Sequence, residues 1–141
     1  MHKFLVSIAA GAVLAGAAFG APPAPTHPIL GTWQYTLPNS ECSETYYFRR
    51  DGTYQATSGE QISESKYEVT ALPDKKGFYK LVDTVVKDNG KKDCIGQVVE
   101  VGHKATNLIF IHPSGQTLIV CKSEVMSTCF GPVRRLQGRE S

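Results

Sequence analysis

Leu30-Gly31-Thr32-Trp33-Gln34-Tyr35-Thr36-Leu37 puts Trp33, Tyr35 and Leu37 on one face and Thr32, Gln34 and Thr36 on the other. A period of two is the pattern of an antiparallel strand with one face in a core and the other in water. Gly31 has no Cβ and so permits a close backbone crossing at the strand's entry. Trp33, the only tryptophan, is large enough to plug the end of a small barrel.

Outward from this strand, the chain reads as short strands and turns with little room for helices. Residues 43–49 are rich in Thr, Tyr and Phe, Arg50-Asp51-Gly52 supplies a tight hairpin turn, and residues 53–58 return. Residues 63–70 alternate with Tyr67 and Val69 on one face, and residues 73–77 form the next turn. Residues 78–87 make a long strand ended by Asp88-Asn89-Gly90, and residues 91–96 make a loop. Residues 97–101 form a weaker strand, residues 107–112 and 116–121 a hairpin about Pro113-Ser114-Gly115, and residues 130–136 the last strand. Roughly eight short strands with regular turn signals predict an all-β fold, an up-and-down antiparallel barrel. A sandwich would show similar strands, but a closed barrel removes the edges that an open sheet must protect.

Gly31-Thr32-Trp33, taken with Arg134 and Arg135 in the last strand, resembles the lipocalin and lipocalin-like pattern. The resemblance implies that one of these arginines stacks on Trp33 and closes the barrel end by a cation-π contact. The run from Cys42 through Phe48, Asp51-Gly52-Thr53 and Ser58-Gly59-Glu60 is similar to small exported proteobacterial proteins with lipocalin-like domains. A second lipocalin motif, Thr-Asp-Tyr, is absent, and Leu81-Val82-Asp83-Thr84 stands in its place. The resemblance therefore implies a fold and leaves the ligand class open.

Before the barrel, residues 1–20 carry a basic Lys3, an apolar run to Phe19, and small residues Ala18 and Gly20, the marks of an export signal cut before Ala21. The run is marginal for spanning and lacks a stop-transfer flank, so no membrane anchor is expected. Residues 21–28, with Pro22, Pro23, Pro25 and Pro28, read as an extended, flexible leader, with insertion into a partner as the sharper alternative. Residues 29–136 are the barrel domain and residues 137–141 a frayed tail. The 141-residue chain carries 15 Lys and Arg against 13 Asp and Glu, and losing Lys3 leaves a net charge of +1, which argues against nucleic acid as a partner.

Cys42, Cys94, Cys121 and Cys129 are even in number, and none forms a Cys-x-x-Cys pair, which favours two disulfides in an oxidising compartment over structural zinc. Four cysteines allow three connectivities. Strand order in an up-and-down barrel places Cys42 and Cys94 at one rim and Cys121 and Cys129 about the last connection, which favours those two pairs.

No catalytic constellation is evident. His103 and His112 lie in or beside turns, no Ser sits in Gly-x-Ser-x-Gly, and Glu60 and Glu64 belong to a scattered, solvated set. Asp88-Asn89-Gly90 with Asp93 lacks the spacing and terminal Glu of a calcium loop, so neither metal nor cofactor is expected. Two binding readings follow for a monomer. In a carrier, Trp33, Tyr35, Tyr46, Phe48, Tyr67 and Leu108 line an apolar interior for a small hydrophobic ligand. In an interaction module, the loops or leader engage an exported protein, such as a hydrolase, and the barrel is a rigid support. The same inward residues also suffice to fill so short a barrel, and a filled interior is the expectation.

Overall fold

The computed structural model describes residues 21–136; the export signal expected at residues 1–20 and the tail expected at 137–141 lie outside the described residues. Eight antiparallel strands follow one another around a closed barrel. They are β1 (Gly31–Thr36), β2 (Ser43–Phe48), β3 (Thr53–Ser58), β4 (Gln61–Val69), β5 (Phe78–Asp88), β6 (Lys104–Ile111), β7 (Thr117–Cys121) and β8 (Cys129–Arg135). Closure is made by β8 against β1, with Trp33 opposite Arg135 and Gln34 opposite Arg134. The only helical turn among the described residues is a 3-10 segment, Met126–Thr128, in the last connection.

Turn chemistry sets the register. Between β2 and β3, Arg49 N–H donates to Thr53 O at 2.9 Å, and Asp51 accepts from both the backbone N–H and the hydroxyl of Thr53. Those bonds hold the Asp51 carboxyl below its ordinary range. Between β4 and β5, Asp74 accepts the N–H groups of Lys76 and Phe78, an Asx-type turn that starts β5 in phase.

One end of the barrel is packed shut. Ile29, Trp33, Phe48, Tyr67, Leu81, Ile109, Leu118 and Val133 form its core, all buried. Trp33 is fully buried, and its indole N–H donates to Ile29 O at 2.7 Å. Burying so large a ring contributes on the order of 3–5 kcal/mol relative to alanine. The guanidinium of Arg135, not Arg134, lies 4.1 Å from the Trp33 ring. It also donates to the carbonyls of Gly115 (2.8 Å), Leu30 and Pro28 (2.6 Å). Arg134 is exposed.

Two expectations fail here. Residues 97–101 are not a strand: β5 pairs directly with β6, so the barrel is already closed, and these residues belong to a long exposed connection over residues 89–103. The leader is not loose throughout. His27 is buried, its Nδ1 accepts from Ile29 N–H at 3.1 Å, its Nε2 bonds Thr70 O at 3.0 Å, and its ring meets Tyr79 edge-on at 4.9 Å. A proline-rich composition forbids ladder pairing, yet leaves one imidazole free to seal the closed end.

Candidate functional site

At the other end the strands carry small and polar inward residues, and the packing opens. On β4 the buried face reads Gln61, Ser63, Ser65, Tyr67, so its outer half brings short side chains where the closed end has rings. The expectation of a filled interior therefore holds only for the closed half. Between that core and the open rim lies a cavity of about 180 Å³.

Its apolar wall comes from Trp33, Phe48, Leu81, Ile109, Leu118 and Val133, with Val120 and Phe130 toward the rim. Its polar groups are Tyr46, Tyr54, Asp83 and Asn107. Phe130 is 37% exposed, so the cavity reaches the surface beside it. An apolar cavity of about 150 Å³ takes a benzene ring, so this one has room for such a ring with a short substituent.

Asp83 is the unusual member. It is only 7% exposed, and burial pushes its carboxyl up to about 6, against the smaller opposing pull of the Tyr54 hydroxyl and His103. Burial, with Asp83 nearby, raises the Tyr54 hydroxyl. Burial, with Glu44 nearby, raises that of Tyr46. Ser65 lies near Tyr54, but its own buried Oγ closes no hydrogen bond.

Of the residues expected to line the interior, Trp33, Tyr46 and Phe48 do so. Tyr67 belongs to the closed-end core, where its hydroxyl donates to Arg49 O at 2.7 Å and its ring meets Phe48 edge-on. Tyr35 packs on Phe130 with ring centroids 5.0 Å apart, beside the cavity and not in its wall. Leu108 is a correction. Its neighbours Asn107 and Ile109 face the cavity, and strand alternation turns Leu108 outward. The run Asn107-Leu108-Ile109-Phe110-Ile111 is apolar at nearly every position, so composition did not set its phase. Tyr54 and Asn107 carry no motif that marks them, whereas Asp83 sits in phase with Leu81 and Val85 on a strand and is legible as a charge on an inward face.

The rim is tied by both disulfides. Cys42 bonds Cys94 across a sequence separation of 52, and Cys121 bonds Cys129 across 8. The first fastens the 89–103 connection to the start of β2. Cys94 N–H also donates to the Ser58 hydroxyl at 3.0 Å, and the backbone of residues 92–94 passes so near Gly59 that a Cβ there would meet it at 3.2–3.3 Å. Within the connection, Asp93 accepts the N–H groups of Ile95 and Gln97, which fixes the turn. Ile95, Val98, Val101, Val125 and Met126 stand exposed on the connections of this rim.

His112 is exposed and bonds Ser114, and Glu64 is held by Arg49 in a two-pronged ion pair at 2.8 and 3.1 Å. Among the described residues no group of three or more His, Cys, Asp or Glu is placed to hold a metal ion, and no helix is long and apolar enough to cross a membrane. Comparison with protein families, with curated proteins and with solved structures finds no match for this chain.

Proposed function

We propose that this chain is an exported, lipocalin-like barrel that binds a small, largely apolar molecule in its interior. The observation that carries the reading is the cavity itself: about 180 Å³ left between a packed end and a rim, walled by aromatic and aliphatic side chains with a few convergent polar groups. A rigid, mostly apolar concavity with sparse polar anchors is the usual form of a small-molecule site. The Gly31, Trp33 and Arg135 arrangement supports the lipocalin-like assignment, and the two disulfides with the apolar N-terminal run of the sequence support export.

Native mass spectrometry of the protein taken from its own cells, before and after organic extraction, tests this. Extra mass that extraction removes is expected. A bare chain whose Trp33 fluorescence then stays unchanged through a benzyl alcohol titration would overturn the reading.

The exposed apolar residues of the rim favour a second one, an interaction module that meets an exported protein through its disulfide-fixed connections. Capture of a specific exported protein that is lost on replacing Ile95 and Val98 by serine, with the interior still empty, would favour it.

A further inference from the structure

Resting on the interior-binding reading, we propose that the occupant is a small organic cation: an amine carried on an aromatic or short aliphatic body. The charge of the interior points there. Strand alternation, read from the buried residues and the cavity wall, aims Glu44 of β2 and Asp83 of β5 inward, with Asp88 at the rim beside the Gln61 amide. No Lys or Arg contributes to the cavity wall. The one guanidinium near the core, Arg135, is spent at the closed end on Trp33 and three backbone carbonyls.

Asp83 is therefore a nearly buried carboxylate with no Lys or Arg beside it in the cavity wall. Arg49 is paired with Glu64 and Lys76 with Glu124, and the basic group that acts on Asp83 is His103 at the rim. A carboxylate withdrawn from water is costly unless paired, and this one lies in the wall of a cavity large enough for the missing partner.

The surroundings suit an ammonium group in two further ways. The Asn107 side-chain oxygen and the Tyr54 and Tyr46 hydroxyls supply neutral acceptors around Asp83, and the buried Ser65 hydroxyl has no partner yet. The rings of Phe48 and Tyr54, stacked with 4.8 Å between centroids, line the same space, and aromatic rings there favour a cation over an anion. The apolar floor from Trp33 to Val133 then takes the uncharged body. An anion of the same size would face Asp83 and Glu44 with no Lys or Arg in the wall to offset them.

Calorimetric titration of the full chain at pH 7.5 with three probes of nearly equal size tests the assignment: 2-phenylethylamine, 2-phenylethanol and 3-phenylpropionate. The amine is expected to bind at least tenfold more tightly than the alcohol, and the carboxylate not at all. In Asp83→Asn, checked for folding by its circular dichroism, amine affinity should fall to that of the alcohol while alcohol affinity is kept. An alcohol that binds as tightly as the amine to the unmodified protein overturns the cation assignment and leaves interior binding standing, as does undiminished amine binding by Asp83→Asn. Failure of all three probes to bind overturns both.

Discussion

Gly31 is where a single missing atom lets the closed end assemble. Its φ is +110°, and a Cβ built there would lie 2.7 Å from the Arg135 guanidinium, which is itself fixed by three carbonyls and cannot step aside. Gly31→Ala should cost about 1–3 kcal/mol by the backbone alone, and chemical denaturation should show it together with a red shift of the Trp33 emission. Asp83 gives the opposite sign. Its carboxyl, pushed up to about 6 from 3.8, binds its proton more tightly in the folded than in the unfolded chain. Its contribution is thus most favourable below the unfolded value and is lost as pH rises through about 6. Asp83→Asn should raise stability by about 1–3 kcal/mol at pH 8 and leave it nearly unchanged at pH 4, as thermal unfolding at both pH values would read. A buried carboxylate that lowers stability at neutral pH accords with the proposed binding role of this residue. Both residues show how far single positions speak in a sequence. Gly31 was legible because a glycine two before a tryptophan at a strand's entry has few other uses. The cost of Asp83 was not, since it depends on burial by strands far away in the chain.

Elements are where the sequence spoke most clearly, because the hairpins carry their own instructions. Asp51-Gly52 and Asp74 with Gly77 announce turns that then form by the bonds their side chains allow. Where that local chemistry is missing, phase was lost: β6 has apolar side chains on both faces, and its inward set, Asn107 and Ile109, was settled only by pairing with β5 and β7. Residues 97–101 read as a strand because Val98, Val99 and Val101 favour one, but a barrel already closed by β5 against β6 offers them no partner. His27 was hidden in the same way, since its partners Thr70 and Tyr79 are distant in sequence. The two disulfides also differ at this scale. In the chain-entropy account, the Cys42–Cys94 bond, spanning 52 residues, contributes about 4 kcal/mol and the Cys121–Cys129 bond, spanning 8, about 2.5 kcal/mol. The double Cys42→Ser, Cys94→Ser variant should therefore unfold at lower denaturant than the double Cys121→Ser, Cys129→Ser variant. The reverse order would mean that the 89–103 connection is held mainly by Ser58 and Gly59.

At the scale of the whole molecule, the barrel divides along its axis. One end is sealed by Trp33, Arg135 and the docked His27, and the other is left open above short and polar side chains on β3 and β4. The closed barrel was legible from turn spacing and a strand count near eight, one strand too many being read at residues 97–101. The cavity was not, because it depends on which short side chains of β4 fall opposite which rings of β2 and β3. That division separates the two binding readings in space, since the interior and the exposed rim connections carry different reporters. The most direct measurement is a methyl NMR titration of the full chain with 2-phenylethanol, an uncharged probe. Saturable shifts confined to Ile29, Leu81, Ile109, Leu118, Val120 and Val133, whose methyls belong to the cavity wall, are the predicted result. Interior methyls that stay fixed while Ile95, Val98, Val125 and Met126 at the rim move would contradict it.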